Sequence, residues 1–295
     1  MTHENINLTN IKRSSRMVTM NRLDNNERAR IIRCLVEGNS IRATVRMTGA
    51  AKNTVTKLLV EIGEKCQHFH DVNVRHISAR RVQVDELWSF VGAKARNVGN
   101  EKKDSGMGDV WTWIAIDADS KVVVSYVCGG RDAEWANQFM KDAASRLTMR
   151  VQITSDGHRA YAEAVEGAFG MDVDYAMLIK LYGAPSEKYD TRYSPSGLIG
   201  TRTAVLSGNP DPRHVSTSFI ERQNLTVRMS NPRFTRLTNG FSKKLENHRH
   251  SVALHYAYYN FSRVHQSLRV TPAMEAGLTD HVWTIEELLS QLDSN

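Results

Sequence analysis

Apolar positions recur at helical spacing in the first quarter of the chain and at strand spacing through its middle. Over residues 24–37, Ile31, Ile32 and Leu35 make one stripe. Asp24 with Glu27 three residues on forms a capping-box pattern, and Gly38 ends the stretch. Ser40 can cap a second helix over 41–48, broken by Gly49. A third helix over about 51–65 turns Val55, Leu58, Leu59 and Ile62 inward. Helix, short helix, glycine turn, helix is the helix-turn-helix signature, here spanning 22–66. Residues 1–21 show no apolar period and are expected to be a flexible arm, and 67–79 a linker.

From residue 80 the period changes to two. RRVQVDELWSFVG, DVWTWIAID and KVVVSYVCG alternate as strands do, the last two joined by a tight turn at Ala118, Asp119 and Ser120. A helical period over 132–147 follows, then a strand VQITSD ending at Asp156, a short helix over 158–168 and a fifth strand over 172–181. Three meandering strands, then helix, strand, helix, strand, is the order of an RNase H-like mixed sheet. The fold class expected is therefore α/β: such a sheet with flanking helices over 80–265, preceded by a small all-α helix-turn-helix domain. Residues 182–216, rich in Gly, Pro, Ser and Arg, are expected to be irregular. Helices are expected from 217, where Thr217 or Ser218 can cap, over 242–261, and in a C-terminal tail (266–295) near 284–292.

Composition narrows the function. No run approaches the ~20 apolar residues of a membrane span, and three distant cysteines, Cys34, Cys66 and Cys128, offer neither a zinc spacing nor an even disulfide set. The expectation is a reduced, cytoplasmic, nucleoid-associated setting with no membrane partner. The net charge is +7, and residues 1–70 carry 12 Lys/Arg against six Asp/Glu. A basic head on a near-neutral body suits a polyanion partner. At the start of the third helix, Lys52, Asn53, Thr54, Thr56 and Lys57 are candidates for contact with double-stranded DNA.

Three acids stand in contexts where a structural role alone leaves a cost. Asp85 lies inside an otherwise apolar strand, VQVDELW, where a charge needs pairing or a metal. Asp156 ends an apolar strand before Gly157, and Glu221 opens a helix in SFIERQNLTVRMS. Each has an ordinary alternative: a strand-edge charge, a helix cap, a first-turn acid. Together they suit two magnesium ions, for which manganese can substitute, because hard cations take carboxylate oxygens and leave positions open for phosphate. Glu86 is set aside because strand alternation sends it to the face opposite Asp85. Asp117 and Asp119 are assigned to the hairpin turn. Around Glu221, residues 213–249 hold eight Lys/Arg against two Glu. Arg222, Arg228, Arg233 and Arg236 are DNA-contact candidates there, as are His158 and Arg159 after the second aspartate. Arg228 follows Glu221 by seven residues, nearly the same helix face.

VDELWSFVGAK, ITSDGHRAYAEAV, STSFIERQNLTVRMSNPRFTRLTNGFSKK and the ending HYAYYNFSRVHQSLRVTPAMEAGL resemble bacterial insertion-sequence DDE transposases of the insertion-sequence-one type. The resemblance covers roughly residues 22–290. It implies an RNase H-like core in which Asp85, Asp156 and Glu221 are catalytic metal ligands and Arg228 is the basic partner. Arg at 228, rather than the commoner Lys, keeps the phosphate affinity but forks where Lys is a point charge. The implied substrate is the terminal inverted repeats of the protein's own element together with target DNA. The implied activity is metal-dependent cleavage and strand transfer by a dimer or higher homo-oligomer. Two other readings stand beside it: a non-catalytic DNA-binding regulator or decayed element remnant, and an RNase H-like nuclease or resolvase.

Overall fold

Asp24 and Glu27 close the expected capping box, and α1 (Asn25–Val36) begins there. The computed structural model describes residues 23–99, 106–183, 197–235 and 239–294; the expected arm, and Arg236, lie outside them. Ser40 caps α2 (Ile41–Thr48), and Gly49 ends it in the left-handed region at φ 77°. The third helix, α3 (Lys52–Asn73), runs well past its expected end. Residues 67–73, expected as linker, are its last two turns, because Phe69 and His70 are buried rather than solvated. Phe69 packs edge-on against Phe261 and Trp283, with centroids 5.3 Å and 5.6 Å away.

The body is a sheet of β1 (Arg81–Val91), β2 (Gly108–Asp117), β3 (Val123–Gly129), β4 (Val151–Ser155), β5 (Val173–Tyr182) and β6 (Leu198–Ser207). Spatial order is β3-β2-β1-β4-β5-β6. The first three strands are antiparallel neighbours, β4 lies parallel to β1 and β5 parallel to β4, and β6 is antiparallel to β5. The first five strands form the RNase H-like mixed sheet. The sixth strand replaces part of the stretch expected to be irregular. It sits at the sheet edge with most of its side chains exposed, so it lacks the alternation that marks a half-buried strand.

Helices α4 (Ala133–Arg146) and α5 (Ala160–Phe169) cover one face of the sheet. Trp113 of β2 is fully buried there against Phe139 and Tyr161. On the other face lie α6 (Ser218–Ser230) and α7 (Leu245–Phe261), where Leu87, Ile114, Ile220, Val227 and Tyr256 make a second cluster. At the β3 edge, Asn260 of α7 bonds both backbone groups of Val123, and His70 of α3 meets the Val124 carbonyl at 3.0 Å. Two helices thus satisfy an edge that would otherwise offer a pairing site.

The N-terminal helices share the core of the sheet. Ile31, Ile32, Leu59 and Ile62 belong to one buried cluster with Val82, Val84 and Phe139. Gly63 is where α3 meets α7: a Cβ there would stand 2.3 Å from the His250 Cβ and 2.6 Å from its backbone oxygen. After the short α8 (Pro272–Glu275), α9 (Ile285–Ser294) folds back on α1 and α3, burying Leu288, Leu289 and Leu292. Asp293 on α9 takes Arg28 at 2.7 Å and Lys65 at 2.6 Å.

Candidate metal centre

Asp85 and Asp156 arrive together through strand register. Parallel pairing of β1 with β4 runs from Arg81 opposite Gln152 to Gln83 opposite Thr154. Carried two residues further, the same register sets Asp85 beside Asp156. β4 itself ends at Ser155, one residue before Asp156. Side chains from both faces of β1 converge there. Asp85, Glu86 and Asp156 each bring a carboxylate oxygen to within 4.8 Å of the others.

Glu86 is the residue that strand alternation set aside. It does leave β1 on the α4–α5 face, where its side chain is almost wholly buried. Tyr161 of α5 donates to its Oε2 at 3.4 Å, and Arg131 donates to Oε1 at 3.1 Å. His158 Nδ1 also lies 3.1 Å from Oε1, within ion-pair reach but outside hydrogen-bond geometry. Period-two reasoning gives the direction of a Cβ, not the reach of a three-carbon side chain past a strand that has stopped. The signal in the sequence was the adjacency of two acids, Asp85-Glu86, inside one apolar strand.

The cluster is electrostatically strained. Burial, then the neighbouring Glu86 and Asp156 charges, push the Asp85 carboxyl up to about 7 from an ordinary 3.8, and Glu221 adds to the effect. Burial and Asp156 likewise raise Glu86, against the pull of His158 and Arg131. The backbone N–H of Glu86 and the Asn224 side chain hold the two Asp85 oxygens, at 2.8 Å and 2.7 Å. Asp156 accepts from the His158 backbone N–H at 2.9 Å, which closes a turn but does not cap α5, the helix-capping alternative weighed from sequence.

Helix α6 is fixed over β1 by a contact the sequence did not disclose. Gln83 Oε1 accepts from the Phe219 and Ile220 amides at 2.8 Å and 3.0 Å, so a strand residue caps this helix. Neither Thr217 nor Ser218 does: Thr217 Oγ1 donates to Glu221 Oε1 at 2.5 Å instead. Glu221 itself is not in the cluster. Its Oε1 is also taken by Lys180 of β5 at 2.5 Å. Asn224, one turn on, is the α6 side chain that touches Asp85.

The donor set fits a hard divalent cation. It is all oxygen, carries excess negative charge, and has two members forced toward the neutral form. Oxygens around one magnesium ion stand at most about 4.2 Å apart, given metal–oxygen distances of about 2.1 Å. Adjacent oxygens stand about 3 Å apart, so three carboxylate oxygens lying within 4.8 Å of one another must draw together to share one ion.

The basic candidates scatter. Arg159 is exposed beside the cluster, while Arg228 donates to the Phe234 carbonyl at 3.1 Å. Arg222 lines a cleft of about 420 Å³ with Lys121, Arg263 and His265. Lys52, Asn53, Thr56 and Arg233 line a different, larger cavity. Thr54 is half-buried and Lys57 exposed on the next turn.

No protein-family model matches the chain, and no curated protein matches it by sequence. Among solved structures, it is similar to a piggyBac transposase, in the cryo-EM structure of a synaptic complex with hairpin DNA. That likeness covers 92% of this chain and 71% of the other, at 9% identity and a TM-score of 0.39. At this level it decides neither fold nor function. No helix among the described residues is long and apolar enough to cross a membrane.

Proposed function

We propose that this protein is a DNA transposase that cuts and joins strands at the ends of an insertion sequence. One observation carries the reading: a strained, all-carboxylate cluster where the middle of β1 meets the end of β4 in an RNase H-like sheet, beside α6. Asp85 and Asp156 are the ligands assigned to the reaction, and Glu86 becomes a third donor that the buried geometry supplies. Glu221 is assigned the closing position, reached when its carboxylate leaves Lys180. Bound magnesium, in one or two sites and replaceable by manganese, would polarise the scissile phosphate and lower the pKa of a bound water or 3′-hydroxyl. The chain's own part is to hold the cluster. Asn224 fixes the Asp85 carboxylate, and Tyr161 and Arg131 fix Glu86. The arginines near α6 are proposed phosphate contacts, and the substrate ends and target are double-stranded DNA. Two ends must meet, so a dimer or larger homo-oligomer is proposed.

The test is a strand-transfer assay with duplex oligonucleotides of the element ends, in magnesium and in chelator. Wild type should join a 3′ end to target only with the metal, and Asp156→Asn should lose joining. Full joining by Asp156→Asn would overturn the assignment. Cutting without any joined product would move the reading to a nuclease.

A further inference from the structure

The start of α3, the segment expected to read a major groove, does not stand clear of the body. Lys52, Asn53 and Thr56 form one wall of a cavity of about 870 Å³, and Pro232 with Lys243 and Lys244 belongs to the other. Five of the lining residues are cationic (Arg42, Lys52, Arg233, Lys243 and Lys244), and none of the described ones is acidic. Two helices begin here, α3 after Ala51 and α7 after Lys244, and neither cap residue supplies a side-chain hydrogen bond to its helix. Both therefore present unsatisfied amides and a positive helix end.

Two further observations point to an anionic occupant with flat apolar parts. Arg233 donates to Ser242 at 2.7 Å, and burial with no compensating acid pushes its guanidinium down to about 10. Arg233 is half-buried and no described residue lining the cavity is acidic, so a phosphate there would supply the missing counter-charge. Leu35 and Phe241 supply apolar surface beside these charges, with Lys243 Nζ 3.6 Å from the Phe241 ring centroid.

We propose that this cleft binds a single DNA strand, its phosphates held by Arg42, Lys52, Arg233, Lys243 and Lys244 and its bases laid on the apolar floor. A cationic track with aromatic and apolar platforms is the general design for single-stranded nucleic acid. A duplex is disfavoured, because a helix enters a major groove about 12 Å wide only when open on both flanks, and here Pro232, Lys243 and Lys244 stand on one. The inference rests on the DNA-processing reading and deepens it: the strand parted from its complement during transfer has a place to go.

The experiment measures binding of a fluorescent oligothymidylate of about eight nucleotides to the full chain by anisotropy, across a salt series, with a duplex of the same length as competitor. Arg42, Lys243 and Lys244 are exposed, so the triple alanine variant should keep its thermal midpoint. Its single-strand affinity should fall at least tenfold, and its log–log salt slope should flatten by about 2, at roughly 0.7 per phosphate contact. Lys141→Ala, on exposed α4 surface, should bind as wild type. Asp156→Asn should also bind the oligonucleotide as wild type while failing to join strands, so the two readings fail separately. Unchanged affinity in the triple variant would overturn the proposal. So would a duplex that competes as well as the single strand and depends on the same three cations.

Discussion

Single residues set the two tightest tolerances. Gly63 costs α3 about 1 kcal/mol in helix propensity, yet the 2.3 Å approach to His250 leaves no room for a methyl group. Gly63→Ala should therefore destabilise the protein by about 1–3 kcal/mol or more. Urea denaturation reads this, and a stabilised variant would mean that the helices are not so close. Asp85 behaves oppositely. Its carboxyl titrates near 7 in the fold and near 3.9 in an unfolded chain. Between those values the folded state holds a proton that the unfolded chain has released, so stability falls as pH rises through the window. In chelator, Asp85→Asn should match wild type at pH 4 and exceed it by a few kcal/mol at pH 8; a less stable variant at pH 8 would contradict the burial argument. Asn224 acts through Asp85, holding it at 2.7 Å. Asn224→Ala should lower magnesium affinity about 10–100-fold, readable by calorimetry, with far-UV circular dichroism unchanged.

At the scale of elements, the joint between α3 and α4 depends on one buried arginine. Arg146 is 2% exposed. It bonds the carbonyls of His70 and Val74 at the end of α3, at 3.0 Å and 3.2 Å, and the carboxylates of Asp71 and Asp142. Its removal leaves two backbone carbonyls and the partly buried Asp142 without their cation. Arg146→Ala should cost about 3–5 kcal/mol by chemical denaturation, whereas a loss under 1 kcal/mol would show that water replaces the guanidinium. The same joint makes 67–73 helix rather than the expected linker. Its residues, QHFHDVN, are polar by composition, and only the neighbouring helices and sheet make Phe69 and His70 interior. β6 was missed for the converse reason, since an edge strand exposed on both faces writes no alternation.

At the scale of the whole molecule, three histidines among the described residues lie in the interior as neutral rings. Burial drives His70, His248 and His255 each down to about 3. The unfolded chain protonates them below about 6.5 while the fold does not, so stability is full above that pH and is lost as pH falls toward 3. Each proton contributes about 1.4 kcal/mol per pH unit. The three together outweigh the opposing term from Asp85. Unfolding at pH 5 should take up one to two protons net, and one more in Asp85→Asn. Calorimetry in buffers of different ionisation enthalpy measures this, and net release would contradict it. The shared core carries a second consequence. Deleting residues 1–66 removes Ile31, Ile32, Leu59 and Ile62 from the cluster that holds Val82 and Phe139, so the remainder should bind a hydrophobic dye and lose cooperative unfolding rather than persist as a catalytic fragment.

Local sequence alone determined the capping box of α1, the left-handed stop at Gly49, the three-strand meander and the strand-end position of Asp156, because each is written in neighbouring residues and a period of 3.6 or 2. It also singled out Asp85 as a charge out of place. Tertiary structure decided the rest. Where β4 stops let Glu86 reach round β1 to join Asp85 and Asp156. The placement of Lys180 and Thr217 held Glu221 apart from them. Packing of α3 against α7 set the start of α3 across a cavity from Ser230, Pro232 and Lys244. These outcomes depend on distances between residues far apart in the chain, and no local period encodes such a distance.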